Sequence, residues 1–378
     1  MIIKILILSV LINVIFACNS SISQQDNTIV PYILKQETSN SKNKLSELFT
    51  NHYRVIPLET NKECLVGRID KIIKRDSIFY ILSNDSKIQS FDYEGQHLST
   101  FENIGRGPDE YTYIGDFDIY DHNGKKEIWL CDMDCIKIYN EIDMQHVKTI
   151  HYPFVINKFK KTTDDHILLM TGQNKTLISL SDLSGNIIDS CLTTKVTNTM
   201  LKPMQFIPYK DKLIYQFDFT NGCMIYDQKH SKFQQGFIVA PENNWLSELQ
   251  YDELFKKHDY DAFKFLKNYT YIKTFRYFKN NMYIVTHEDN KRYLHIISQS
   301  KQQTIQFSPN SKIYNDIFSS KNDLNFISSI NMGDSDDSIL IILEPSNHEI
   351  RELSRGSNSK RIISKINENA NPVILEYY

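Results

Sequence analysis

Short apolar runs, each preceded by a polar turn, recur along most of the chain. The first covers residues 78–82 and follows Asp76 and Ser77. Polar turns before β-branched and aromatic runs are typical of β-hairpins. Similar runs follow at 128–130, 167–170, 213–215, 282–285 and 339–342. The pattern predicts a chain built largely from repeated β-hairpins.

Each apolar run is followed by a strand with alternating polar and apolar residues, such as 88–92 or 136–140. A further strand comes after a polar turn, for example 98–101 after Gly95. With one strand before each run, every unit has four strands. A repeat of roughly 40 to 50 residues with four strands predicts an all-β fold, a six-bladed β-propeller with antiparallel blades. A large sandwich of meandering strands is the alternative, but it gives no reason for a repeat of this length.

The last unit is incomplete in sequence. Its apolar run at 339–343 is followed by a charged stretch, 344–371, and then by one apolar strand at 372–378. Residues 53–58 form a strand that belongs to no unit. Because an open ring would expose strand edges, we expect the N- and C-terminal strands to close it, with Val55 and Ile56 buried beside 373–375.

One segment, 241–269, departs from the β pattern. Its apolar residues fall largely at spacings of three and four, and Asn244, Asp252 and Asp261 are placed to begin short helices. We predict one to three helices inserted between blades 4 and 5. They form either a cover over a blade edge or a wall of a binding site.

The N-terminus has the pattern of an export signal. Lys4 precedes an apolar run at 5–16 that is too short to span a membrane. The sequence Ile15-Phe16-Ala17-Cys18 resembles the lipobox of bacterial lipoproteins, which implies that Cys18 is the lipid attachment site. An ordinary cleaved signal with an incidental cysteine is the alternative. Both place the mature chain outside the cytoplasm, and the lipobox anchors it to the cell envelope.

These patterns divide the chain into three parts. Residues 1–17 form the signal peptide, and 18–44, rich in Ser, Asn, Gln and Lys, form a flexible tether. Residues 45–378 form the propeller. The net charge is −3 with charges of both signs interspersed, so neither nucleic acid nor an anionic surface is an obvious partner.

Cysteine usage excludes a disulfide scaffold. The chain has six cysteines, and lipidation of Cys18 leaves an odd number for pairing. Cys131 and Cys135 flank a predicted hairpin turn, where a disulfide and two free thiols are both open. No second Cys or His pair stands at ligand spacing, so we predict no metal site.

A glycine-rich stretch, 104–111, separates the first two units. Gly105 and Gly107 permit unusual backbone angles, and Pro108 fixes a turn, so we interpret the stretch as the joint between two blades. Arg106, Glu110 and Tyr111 are the candidate ligand-binding residues, on the expectation that they point toward the channel mouth. Alternatively, Arg106 and Glu110 pair with neighbouring turns.

Several segments carry a resemblance to a known family. The chain resembles the six-bladed β-propeller lipoproteins of Bacteroides-type bacteria, which are related in architecture to NHL-repeat propellers. The resemblance implies a secreted or surface-attached propeller, and Asp109 stands where that family commonly has glycine. The segments are Pro57-Leu58-Glu59-Thr60, Ile69-Asp70-Lys71-Ile72, Phe91-Asp92-Tyr93-Glu94-Gly95, the joint from Gly105 to Tyr111, and Asn371-Pro372-Val373.

No linear catalytic motif is present, so we predict neither catalytic residues nor a cofactor. The acidic stretch 334–337 is explained as a polar turn before a strand. We therefore expect a membrane-anchored binding module whose ligand is a small molecule, a glycan or a protein. The alternative is a propeller enzyme, a metal-dependent hydrolase or lyase at the central channel, because a ring brings distant residues to one axis. Three or more His, Asp or Glu residues at one mouth would favour the enzyme, and a smooth or aromatic lining would favour binding.

Overall fold

A computed structural model of the chain describes sixteen stretches: residues 34, 43–84, 86–172, 176–193, 206–216, 222–237, 245, 248–266, 268–289, 291–298, 301–308, 313–314, 316–317, 334–335, 337–343 and 369–378. Within these residues, six antiparallel sheets form the blades of a β-propeller, as the repeats predicted. The signal segment and Cys18 lie outside the described residues.

Two strands, β1 (Asn43–Lys44) and β2 (Tyr53–Pro57), precede the first blade, with a 3₁₀ turn at Leu45–Glu47 between them. The blades then follow in chain order. Blade 1 contains β3 (Ile69–Arg75), β4 (Ile78–Ser83), β5 (Lys87–Phe91) and β6 (His97–Phe101). Blade 2 contains β7 (Asp116–His122), β8 (Lys125–Asp132), β9 (Cys135–Asn140) and β10 (His146–His151). Blade 3 contains β11 (Val155–Lys161), β12 (Ile167–Gly172), β13 (Thr176–Ser181) and β14 (Ile187–Thr193).

The second half of the ring repeats this order. Blade 4 contains β15 (Ile207–Tyr209), β16 (Lys212–Gln216), β17 (Gly222–Asp227) and β18 (Lys232–Phe237). Blade 5 contains β19 (Tyr271–Phe278), β20 (Asn281–Glu288), β21 (Lys291–Ile297) and β22 (Gln302–Ser308). The remaining strands are β23 (Ile313–Tyr314), which pairs with β1, β24 (Asp334–Ser335), which pairs with β3, and β25 (Ile339–Leu343) and β26 (Val373–Tyr377) of blade 6.

The predicted apolar runs become the second strands of the blades, and they are almost entirely buried because both faces pack against neighbours. In β12, Ile167 and Leu169 contact blade 2, whereas Leu168 and Met170 contact blade 4. Side chains alternate across a strand, so one run serves both interfaces. Among the described residues, six apolar clusters result, one for each pair of neighbouring blades.

The first strand of each blade lies innermost. Strand β3 contacts β7, β7 contacts β11, and β15 contacts β19. All of these strands begin at the same face of the ring, because each follows the outermost strand of an antiparallel four-stranded blade. The joint 104–111 between β6 and β7 lies at that face, as do the turns between second and third strands.

The termini close the ring as predicted. Strand β2 pairs antiparallel with β26 as the outer strand of blade 6, with Val55 opposite Leu375 and Ile56 opposite Ile374. Ile56 is buried, whereas Val55 is half-buried at the edge of the core between blades 5 and 6. At the end of the predicted tether, Asn43 and Lys44 form strand β1, and Leu45 is buried in that same core.

The helical insertion between blades 4 and 5 is confirmed. It contains α1 (Glu248–His258), a 3₁₀ turn at Asp259–Ala262 and α2 (Phe263–Leu266). Trp245 forms a parallel bridge with Thr270, the residue before β19. In the part of the chain that the structure describes, no helix has the length and apolar character to cross a membrane.

Candidate functional site

Tyr111, one of the three residues predicted to bind a ligand, lies in the core. Its side chain is 0% exposed and packs between blades 1 and 2. Its hydroxyl donates to the carbonyl of Ser86 at 2.6 Å and accepts from the N–H of Asn103 at 3.1 Å. Tyr111 therefore fastens the joint to the turn between β4 and β5.

Glu110 and Arg106 occupy different environments. The Glu110 carboxylate accepts from the N–H of Gly107 at 2.8 Å, and a Cβ built on Gly105 would lie 1.7 Å from its Oε2 atom. The Glu110 carboxylate therefore occupies the space beside Gly105 and would have to move to admit a side chain there. Arg106 is exposed at the face where the inner strands begin. Ligand binding by Arg106 and Glu110 stays a prediction.

Two side chains of blade 2 contact the joint. Lys137 of β9 donates to the carbonyls of Pro108 at 2.9 Å and Glu110 at 2.5 Å. The Asp109 carboxylate lies 2.9 Å from His146 Nδ1, which gives the residue a partner where the resembling family commonly has glycine. The conformation of the joint is therefore stabilised by Lys137 and His146.

Cys131 and Cys135 are free thiols. Both are buried, in β8 and β9 respectively, and the register places Cys131 opposite Ile136 rather than opposite Cys135. Burial raises the pKa of the Cys135 thiol to about 11, and it raises that of Cys131 further. Neither thiol is reactive at neutral pH, because the thiolate is the nucleophile.

The inner strands of blades 1 to 3 are joined by two ionic rungs that the sequence analysis did not name. In the upper rung, Asp116 of β7 accepts from Lys71 of β3 at 2.8 Å and lies 3.5 Å from Lys158 of β11. The second carboxylate oxygen accepts from the N–H of Phe159. Lys71 and Asp116 are 4% and 1% exposed, so the rung is a buried link across three blades.

The lower rung repeats this arrangement two residues further along β7. Asp118, 0% exposed, accepts from Arg75 at 2.8 Å and from Lys160 at 2.6 Å. Tyr120 donates to the same carboxylate, and burial together with that charge holds the Tyr120 pKa well above its ordinary value. Each rung therefore holds two cations against one carboxylate.

A third ionic group joins blade 1 to blade 6. Lys74 lies 2.8 Å from Asp337 and 2.9 Å from Glu376, which also pairs with Arg54 of β2. Burial opposes the charge on Lys74, but the hydrogen bonds that its ammonium group donates to the two carboxylates hold its pKa above the ordinary value. Asp337, from the acidic stretch 334–337, thus has a lysine as its partner.

Positive charge is concentrated on the inner strands. Strands β3, β7, β11, β15 and β19 together contain eight lysines and arginines against four aspartates, whereas the whole chain has a net charge of −3. An excess of one sign of charge attracts ions of the opposite sign. Part of this excess is met by Asp337 and Glu376 of blade 6, which pair with Lys74.

The described residues contain no group of three or more His, Cys, Asp or Glu placed to hold a metal ion. The inner strands present both cations and carboxylates. This lining is neither the cluster of His, Asp or Glu residues expected of an enzyme nor the smooth or aromatic surface expected of a binding module. The propeller enzyme stays an alternative hypothesis.

A weak sequence signal could have revealed the inner strands. A four-residue pattern recurs in three inner strands: isoleucine, a polar residue, Lys or Thr, and an apolar residue. It occurs at Ile69-Asp70-Lys71-Ile72, Ile156-Asn157-Lys158-Phe159 and Ile272-Lys273-Thr274-Phe275. In all three blades the register between first and second strands shifts at the polar residue, as in a β-bulge.

Comparison with known proteins identifies the family. A family model described as a domain of unknown function (DUF4934) matches residues 30–378. The chain belongs to the DUF4934 family. No curated protein matches it.

The comparison with solved structures supports the propeller fold of this DUF4934 chain. A protein from Bacteroides fragilis NCTC 9343 assigned as exported is 17% identical with a TM-score of 0.67, over 86% of this chain and 94% of the other. A protein of unknown function from Bacteroides caccae is 6% identical with a TM-score of 0.37, over 64% of this chain and 77% of the other. At these identities the likeness is one of fold, and only the first is close enough to support it.

Proposed function

We propose that this DUF4934 protein is an exported, envelope-anchored binding module that takes a negatively charged ligand at the mouth of its central channel. The observation that carries the proposal is the charge of the inner strands. In each rung two cations contact one carboxylate, and β19 adds Lys273 and Arg276 to the basic residues of the inner strands. A ligand with carboxylate or sulfate groups suits such a surface.

Two observations support the export part of the proposal. The apolar run at 5–16 ends at Cys18 in a lipobox-like sequence. The structural neighbour from Bacteroides fragilis is assigned as exported. Together they favour a propeller held at the cell envelope by a lipid on Cys18.

Calorimetric titration of the folded protein tests the ligand class. The probes are an oligogalacturonate, which carries carboxylates, a sulfated oligosaccharide of similar length, and a neutral oligosaccharide as control. At least one acidic probe should bind, and its affinity should fall as salt is raised to about 0.3 M, because salt screens exposed charges. Equal binding of acidic and neutral probes, or binding of neither acidic probe, would contradict the proposal.

Metabolic labelling with radioactive palmitate tests the anchor. The full-length protein should incorporate label and remain with the membrane fraction, and Cys18→Ser should abolish both. Labelling that persists in the Cys18→Ser variant would show that the anchor lies elsewhere.

A further inference from the structure

The start of blade 5 brings three basic residues together at the face where the inner strands begin. The register between β19 and β20 shifts between Ile272 and Thr274, which places Lys273 in a β-bulge. Bulges re-aim side chains and occur often beside functional sites. Lys273 is exposed as a whole residue, and its ammonium group is close enough to Arg292 to feel its charge.

A rung across three strands lies beside this bulge. Tyr271 of β19 is opposite His287 of β20, which is opposite Arg292 of β21. The Tyr271 and His287 rings stack with centroids 5.1 Å apart and an interplanar angle of 30°. Trp245 of the helical insertion is bridged to Thr270, so the insertion flanks the same place.

Two buried nitrogen atoms of this rung have unmet hydrogen bonds. Arg292 Nη1 and His287 Nδ1 are inaccessible to solvent and have no partner among the residues that the structure describes. Buried polar atoms are nearly always paired, and leaving one unpaired is destabilising. Such atoms in a native structure point to a missing acceptor.

The basic groups of this place act on one another. Burial, then the nearby Arg292, lowers the pKa of Lys273 to about 8. Burial, Arg292 and Lys273 lower the pKa of His287. Glu288, the adjacent carboxylate, follows His287 in the strand and therefore points to the opposite face of the blade, where it acts on Tyr293.

We propose that Lys273, Arg292 and His287 form a subsite for one carboxylate or sulfate group of the ligand. Arg292 offers a planar pair of donors that matches either anion, and Lys273 adds a second basic group beside it. His287 donates once it is protonated or in its Nδ1–H tautomer. The inference rests on the proposed function and assigns its anionic contact to blade 5.

Substitution of Lys273 tests the subsite, with Lys291 as a matched control. Lys291 is exposed, lies next to Arg292 in β21 and points to the other face of the blade, so Lys291→Gln removes the same charge without touching the subsite. Lys273→Gln should weaken binding of the acidic probe at least about tenfold, and Lys291→Gln should change it less than about twofold. Arg292→Lys, which keeps the charge but loses the planar fork, should also weaken binding.

The two acidic probes separate the possible anions, and the outcomes separate the two proposals. A loss confined to oligogalacturonate assigns a carboxylate, and a loss confined to the sulfated probe assigns a sulfate. If the unaltered protein binds an acidic probe and Lys273→Gln binds it equally well, the subsite is wrong while the proposed function stands. If the unaltered protein binds neither, the proposed function itself fails. Bound probe should also slow acetylation of Lys273, a readout that an unfolded variant does not affect.

Discussion

At the scale of single residues, Asp118 decides how the inner strands of three blades fit together. Its carboxylate is 0% exposed and is shared by Arg75 and Lys160. A buried ion pair adds little net stability compared with apolar packing, but removal of one member leaves the others without compensation. The lower rung is therefore sensitive to loss of this one charge.

We expect Asp118→Asn to lower the free energy of unfolding by about 3 kcal/mol or more, because two cations then lose their counter-charge. Urea denaturation measures the change. Asp76→Asn is the control, since Asp76 is 76% exposed and its pair with Lys126 contributes at most about 1 kcal/mol. Equal effects of the two substitutions would show that the rung is not a stabilising link.

Lys273 should be unusually reactive. With a pKa of about 8, roughly half of its amine is uncharged at pH 8, compared with less than about 1% for a lysine of ordinary pKa. Because only the uncharged amine attacks acetic anhydride, we expect Lys273 to be acetylated faster than the exposed Lys291. Peptide mass spectrometry after brief labelling measures both rates. Similar rates would place the Lys273 pKa near its ordinary value.

At the scale of elements, a histidine joins three strands of blade 5. His295 of β21, 4% exposed, lies 2.8 Å from the hydroxyl of Thr286 and 3.0 Å from that of Thr304. One ring nitrogen donates and the other accepts, so the neutral ring satisfies both hydroxyls. Blade 1 has Gln89 at the corresponding position, opposite Ile81 and Thr100.

His295 predicts a specific dependence of stability on pH. Burial lowers its pKa to about 4, against about 6.5 when unfolded, so between these values the unfolded chain binds the proton more tightly. Stability should therefore fall as pH drops from about 6.5 to about 4, by up to about 1.4 kcal/mol per pH unit from this residue. In His295→Gln, which introduces the blade 1 residue, the slope measured by urea denaturation should be smaller. An unchanged slope would contradict the assignment.

The second strands were predictable from sequence and the inner strands were not, for a physical reason. Residues 167–170 are buried on both faces and form an uninterrupted apolar run. The side chains of Lys158 and Lys160 are only 16% and 12% exposed, because they pair with Asp116 and Asp118 of another blade. Ion pairs between residues that are distant in sequence leave no local pattern. The sequence of a buried charged strand therefore looks like that of a solvent-exposed strand.

The candidate site shows the same limit. Arg106, Glu110 and Tyr111 were selected because they lie in the joint between two blades and were expected to point toward the channel mouth. The ring of Tyr111 instead packs in the core, and the Glu110 carboxylate accepts a hydrogen bond within its own loop. Tyr271, His287 and Arg292 become neighbours only through strand register. Their spacing in sequence resembles no motif.

At the scale of the whole molecule, the closing strand pair β2–β26 supports the ring. Val373, Ile374, Leu375 and Tyr377 are each at most 1% exposed, and they pack into the cores on both sides of blade 6. An unclosed ring would expose these cores and two strand edges.

Deletion of residues 371–378 should destabilise the entire propeller rather than one end. The loss should exceed about 5 kcal/mol, comparable to the total stability of many domains. Calorimetry should show loss of the cooperative transition or a much lower midpoint. Val147→Ala, on the exposed outer strand β10, is the control and should melt as the unaltered protein does. A deletion variant with an unchanged midpoint would contradict the role of closure.

Under the export and anchoring proposed above, closure by β2 also sets the order of events. Arg54 and its partner Glu376 are 322 positions apart, so a chain that crosses a membrane from its N-terminus delivers β2 early and its partner strand last. Pairing over such a separation is slow, because most of the chain must be ordered first. A lipid on Cys18 would therefore be attached while the propeller is still unfolded. The polypeptide would complete its folding at the membrane surface, already tethered.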